Sequence, residues 1–213
     1  MSASFARFLS VVLHPVFIPS YAVWFLLHGE FYFSFNTSPA EQLGIYLIVV
    51  INTLILPVLI ANLLIQKGVI RTLEMEDKRE RRWPFFLNIV FQLLACYLMY
   101  HLKLPPIYLQ IIFGALIATT FVFLINFFWK ISIHMIGIGG LIGILFGIVF
   151  MALIDLTFPI VICIFFAGLL GTARLTLRAH QPAQIYVGFA IGFLSEFLLR
   201  SEEHTSELQS HSF

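Results

Sequence analysis

Hydrophobic and polar positions along this chain fall into long blocks. Apolar runs near Phe8–His28, Leu43–Gln66, Phe85–Leu102, Pro106–Trp129, Met135–Ile154, Phe158–Leu177 and Ile185–Leu199 are separated by charges, prolines or glycine clusters. Most approach the ~20 residues a helix needs to cross the hydrocarbon of a bilayer. They are about twice the length of a spanning strand and show no sustained in–out alternation, so the pattern predicts helices and not a closed barrel. The expected fold is all-α, a polytopic transmembrane helical bundle of six to seven spans.

The first run follows Arg7 as a secretory signal would, but it holds His14, Pro15 and Pro19 and lacks a small-residue cleavage site. It reads as a retained helix that the two prolines kink or unwind at its start. His14 then faces a polar cavity or sits at the interface on a neighbouring carbonyl.

Composition agrees. Of 213 residues, 60% are hydrophobic and only 11% charged, with 24 phenylalanines. Soluble domains carry roughly 45–50% apolar residues. Mean hydropathy of +0.97 leaves too few polar groups to cover a surface facing water on all sides. A net charge of +1 excludes the cationic surplus of a nucleic-acid binder. Cys96 and Cys163 lie in apolar runs without a second ligand at metal spacing, so neither a disulfide framework nor a metal site is expected.

The chain ends differently from how it runs. Arg200–Ser210 reads Arg-Ser-Glu-Glu-His-Thr-Ser-Glu-Leu-Gln-Ser and resembles the conceptual translation of a sequencing-library adapter. The expectation is a helical bundle over residues 1–199 and a non-native tail over 200–213, with the last span cut short.

Counting crossings puts Arg7, Lys67, Arg71, Lys78, Arg79, Arg81, Arg82, Lys130, Arg174 and Arg178 on one face. The positive-inside rule would make that face cytoplasmic. An anion site also gathers Arg and Lys, so the count leaves the orientation open. The expected location is a bacterial-type cell membrane, crossed several times.

Three stretches on that face bring cations and histidines together. In Glu74–Pro84, Lys78 and Arg82 are four apart and share a face if helical. Taken alone, the stretch reads equally as a solvated juxtamembrane loop or a headgroup patch. Trp129–His134 carries Lys130, Ser132 and His134 at the junction of two spans, where a histidine is also a common interfacial residue. In Ala173–Gln184, Pro182 suits the first turn of a helix, with His180 just before it and Gln184 inside it. A helix start offers unpaired amides and a partial positive charge to a phosphate, and Arg174 is far enough upstream to fold back onto the same anion. The alternative is an interfacial His with a snorkelling Arg.

Together these segments resemble the type 2 phosphatidic acid phosphatase superfamily, membrane phosphatases related to vanadium haloperoxidases. Its third motif, Ser-Arg-x5-His-x3-Asp, is matched by Arg174, His180 and Gln184, with Ala173 in place of Ser and Gln in place of Asp. The second, Pro-Ser-Gly-His, survives as Ser132 and His134, with Ile131 and Ile133 replacing Pro and Gly. The first, Lys-x6-Arg-Pro, is loosest: Trp83 separates Arg82 from Pro84, and Lys78 is four residues upstream. The resemblance covers roughly Leu73 to Phe193.

It implies hydrolysis of a lipid phosphomonoester or diphosphate without metal or other cofactor. His180 would form a phosphohistidine, and His134 would protonate the leaving alkoxide and later activate water. Lys78, Arg82, Arg174 and Ser132 would hold the phosphate oxygens. Gln184 would accept the His180 ring N–H but supply no charge. Glu76, Asp77 or Glu80 in the neighbouring loop would supply the missing carboxylate or, as the more ordinary role, balance the adjacent arginines. The expected partners are a phosphorylated lipid and membrane lipids, with no nucleic acid.

Two other functions fit the same residues. One is a phospholipid-binding relative in which Gln184 has removed turnover. The other is a transporter, suggested by the number of spans and by Gly139, Gly140, Gly143 and Gly147, which serve equally as helix-packing contacts. No span except the last, with Glu196, has a charge near its middle.

Overall fold

The computed structural model describes all residues except Glu30, Glu74, Glu76, Leu153 and 211–213, and the side chains of Tyr32, Phe33, Ala152 and 200–210 are likewise left aside. The chain is helical throughout its ordered elements: α1 (Ala3–Val12), α2 (Ile18–His28), the short α3 (Tyr32–Phe35), α4 (Pro39–Val50), a π-helical turn (Ile51–Ile55), α5 (Leu56–Gln66), α6 (Arg82–His101), α7 (Pro106–Ile125), α8 (Ile133–Ala152), α9 (Thr157–Thr176) and α10 (Pro182–Ser210). Among the described residues, six helices are long and apolar enough to cross a membrane, one of them the continuous Pro39–Gln66. The protein is an integral, multi-pass membrane protein.

Six of the seven predicted runs correspond to these helices. The first does not form a single span: Phe8–His28 is broken between α1 and α2. Pro15 and Pro19 explain the break, since each lacks an amide donor and crowds the preceding turn. His14 takes the resulting turn, its Nδ1 accepting the Val16 N–H at 3.4 Å. The last helix, expected to end near Leu199, runs on to Ser210 because Glu, Gln and Leu continue a helix readily. The side chains of the adapter-like segment lie outside the described residues.

Local chemistry sets the other boundaries. Ser38 and Glu41 form a reciprocal capping box at α4, with Pro39 in the first turn. At the middle of that span, Pro57 offers no amide to the preceding turn, and the helix widens at Ile51–Ile55. Asn52 Nδ2 and Thr53 Oγ1 donate to the carbonyls of Ile48 and Val49, both at 2.8 Å.

The chain divides into two compact units, residues 1–13 with Ser132 onward, and His14–Ile131. In the second unit, α6 packs on α7 and along the span from α4 to α5, and α2 packs on α4 and α7. In the first unit, α8 packs along α10 and α9, and α1 packs on α9. The α8–α10 seam admits no side chain at its closest points. A Cβ at Gly139 would collide with the Phe189 carbonyl, and one at Gly192 with the Ile136 carbonyl. Small residues let two backbones meet this way inside a membrane. Outward faces are apolar, with Phe158, Phe165, Leu198 and Tyr186 exposed, as lipid-facing surfaces require.

Candidate functional site

The seam between α8 and α10 brings their two starts side by side, and five of the seven predicted site residues belong to the unit that contains it. Ser132 immediately precedes α8, and its backbone N–H donates to the Gln184 carbonyl in the first turn of α10 at 3.3 Å. His134 lies in the first turn of α8, His180 just before α10, and Arg174 in the last turn of α9. Ser132, His134, His180 and Gln184 are all buried, and Arg174 is half-buried.

The Gln184 side chain settles how His180 is held. Its Oε1 lies 3.0 Å from the Gln181 backbone N–H and 3.2 Å from His180 Nδ1. The first contact is half of a capping box, an N3 side chain reaching back to the residue before the helix. A backbone N–H only donates, so the atom it meets is the amide oxygen. That oxygen only accepts, so His180 Nδ1 carries the proton and, in the neutral ring, Nε2 carries the lone pair. The hydrogen-bond network thus assigns both the amide orientation and the tautomer.

His134 is held from the other side. Its Nε2 lies 3.0 Å from the backbone carbonyl of Ser10 in α1, and Arg174 NH1 lies 3.3 Å from the Ser10 hydroxyl. The Ser132 hydroxyl is fully buried, at 0% exposure, and among the described residues it has no hydrogen-bond partner. Leaving a buried hydroxyl unsatisfied costs about 1–3 kcal/mol, a cost that a ligand oxygen at that position would relieve.

Lys78 and Arg82 belong to the other unit and are engaged there. The Lys78 ammonium donates to the carbonyls of Phe127 and Phe128 at 3.0 and 3.1 Å, while Asn126 Nδ2 donates to the Lys78 carbonyl at 2.7 Å. Arg82 is exposed, its guanidinium 4.9 Å from the centre of the Phe127 ring. The buried cation of this segment is its neighbour: Arg81 is 4% exposed and donates to the carbonyls of Met75 at 2.8 Å and Ile131 at 3.3 Å. Adjacent arginines cannot be told apart by pattern until the helix start at Arg82 fixes which of them turns inward.

Of the carboxylates considered as substitutes for the missing Asp, Glu76 lies outside the described residues. Asp77 accepts the Arg79 backbone N–H at 2.8 Å, and Glu80 pairs with the exposed Arg71 at 3.6 Å. Among the described residues no three metal-ligating side chains gather in one place.

The sequence reading missed Ser10. A lone serine on an apolar helix carries no signal of its own, and its role depends on α1 packing on α9, with Ala6 and Leu9 buried against Ala173. Comparison with family models, curated proteins and solved structures found no match.

Proposed function

We propose that the unit built from α1, α8, α9 and α10 carries the site of a lipid phosphatase of the type 2 phosphatidic acid phosphatase kind, set in a bacterial-type cell membrane. The observation that carries this reading is the His180–Gln184 contact. It leaves the Nε2 lone pair as the nucleophile, in the spacing of the third motif. The buried hydroxyl of Ser132 and the half-buried guanidinium of Arg174 add hydrogen-bond donors suited to phosphate oxygens.

In this scheme His180 Nε2 attacks phosphorus, the bond from phosphorus to the lipid oxygen breaks, and the departing alkoxide takes a proton from His134. A phosphohistidine remains. Water then attacks phosphorus and gives its proton to His134, the P–N bond breaks, and inorganic phosphate leaves with His180 restored. Arg174 and Ser132 stabilise the charge on the equatorial oxygens, the largest contribution a protein makes to phosphoryl transfer. The substrate class is a lipid phosphate such as phosphatidic acid, phosphatidylglycerol phosphate or a polyprenyl diphosphate, whose tails stay in hydrocarbon.

Gln184 bears on turnover in two ways. In a serine protease, replacing the orienting Asp by Asn lowers kcat about 10⁴-fold, chiefly by favouring the wrong tautomer. Here the Gln181 N–H pins the amide with its oxygen toward His180, so only the missing negative charge remains as a handicap. The same contact favours a second reading. Gln184 is accounted for as a helix cap without any chemistry, as expected of a phospholipid-binding protein that has lost turnover.

Phosphate release from a panel of lipid phosphates in detergent decides between them, comparing the parent with His180→Ala and Gln184→Asp. The phosphatase reading expects loss in the first and equal or greater release in the second. If the parent releases none and Gln184→Asp restores none, the enzyme reading fails and phospholipid binding becomes the function to measure.

A further inference from the structure

We infer that α1 is a working part of this site and that Ser10, in its last turn, is a positioning residue for both His134 and Arg174. The consequence for turnover rests on the phosphatase reading; the geometry does not.

The last carbonyls of a helix have no intrahelical donor and need partners from elsewhere. Helix α1 stops at Val12, and the Leu13 N–H turns back to the carbonyls of Leu9 and Val11. The Ser10 carbonyl is met by a side chain from α8, His134 Nε2 at 3.0 Å. A carbonyl oxygen only accepts, so Nε2 holds its proton and Nδ1 is the nitrogen that exchanges one. As imidazolium, His134 gives the Nδ1 proton to the alkoxide; as the neutral Nε2–H form, it takes one back from water at the same atom. A carbonyl oxygen thus meets each histidine, His180 at Nδ1 and His134 at Nε2, and the two roles fall to different ring nitrogens.

The hydroxyl of the same serine lies 3.3 Å from Arg174 NH1, so one residue ties side chains from two helices. Ala6 permits this. It is fully buried against Ala173, next to Arg174, and brings α1 onto α9 closely enough for Ser10 to reach both groups. The opposite face of α1 exposes Phe5, Phe8 and Val11, an apolar surface suited to lipid.

The test uses the full chain in nanodiscs, with ¹⁵N-histidine spectra to report which ring nitrogen is protonated and phosphate release from phosphatidic acid to report turnover. His134→Gln identifies the His134 signals. The parent is expected to show His134 protonated at Nε2. Ser10→Ala keeps the carbonyl and loses the hydroxyl, so the tautomer stays while Arg174 loses its tether and kcat/KM falls on the order of tenfold; Ser10→Thr restores it. Ala6→Phe wedges α1 away from Ala173, so the Nε2–H signal is lost and kcat drops by about tenfold or more. The inference is overturned if the parent His134 is protonated at Nδ1, or if Ser10→Ala has the parental kcat/KM. If Ala6→Phe fails to fold, the Ser10 pair and the parental tautomer still decide. If even the parent releases no phosphate while the Nε2–H signal responds to Ala6→Phe, the phosphatase reading fails and the role of Ser10 in holding His134 stands.

Discussion

On the proposed phosphatase reading, Gln184→Glu is the most informative single change. Glutamate matches glutamine atom for atom, so its carboxylate keeps both contacts of the amide oxygen, to the Gln181 N–H at 3.0 Å and to His180 Nδ1 at 3.2 Å, and adds a negative charge. Two unit charges about 4 Å apart attract by ~4 kcal/mol at an effective dielectric of ~20. Burying a carboxylate where Gln184 is 9% exposed takes back part of that. A net transition-state gain of about 1.4–2.8 kcal/mol corresponds to a rise of roughly ten- to a hundredfold in kcat. Gln184→Leu strands both donors, costing about 1 kcal/mol for the lost cap and ~1–3 kcal/mol for the buried imidazole N–H. Its kcat should collapse along with stability. Phosphate release under single-turnover and steady-state conditions, with the phosphohistidine trapped by acid-free quench, separates phosphoryl transfer to His180 from its hydrolysis. If Gln184→Glu and Gln184→Leu both leave the rate of phosphohistidine formation at the parental value, Gln184 does not orient the nucleophile and the argument from tautomer to function is wrong.

Three further outcomes follow from other parts of the molecule. Arg81→Ala should lower stability by about 2–4 kcal/mol, because it strands the Met75 and Ile131 carbonyls, whereas Arg82→Ala loses only a surface cation–π contact of about 0.5–1 kcal/mol; unfolding in mixed micelles compares them, and equal losses refute the distinction. Gly192→Val forces a side chain against the Ile136 carbonyl, and a cost of about 3 kcal/mol or more is expected in the same assay, with Gly44→Val, which meets nothing within 4 Å, as the comparison. The Asp155 carboxyl, hydrogen-bonded by the Thr157 side chain and then by its backbone N–H, is held below its ordinary pKa. Its small contribution at the start of α9 is thus present above the unfolded value and lost as pH falls through the lower folded one; the protection of the Thr157 amide, its exchange rate relative to the intrinsic rate at each pH, should fall in acid in the parent and show no such step in Asp155→Asn.

The parts of the fold that could be read from residue order are those governed by one dimension, the thickness of a bilayer. Six runs of apolar residues became six helices of membrane-crossing length, and even Pro57, inside one of them, only widens the helix at Ile51–Ile55 without ending it. The seventh failed for an equally local reason, two prolines four residues apart. The candidate site was legible as far as it lay within one stretch: Pro182 placed the helix start, and Gln184, third in that helix, reaches back as a capping side chain to Gln181 and to His180 just before it. Spacing carried no information about Ser10, which lies 124 residues from His134 and meets it only through packing of α1 on α9. Arg81 and Arg82 differ in the interior by a rotation of about 100° around one helix end, an angle that adjacent identical residues cannot announce.

The glycine seam also constrains motion. Where Gly139 and Gly192 set backbone directly against backbone, no side-chain rotamer can take up slack, so the spacing of the two helix starts is governed by bond lengths and atomic radii. Those starts therefore behave as one stiff jaw. On the phosphatase reading, a substrate with bulky tails would gain room by a shift of α1 or α9, whose contact is made by alanines and leucines that slide more easily than interlocked backbones do.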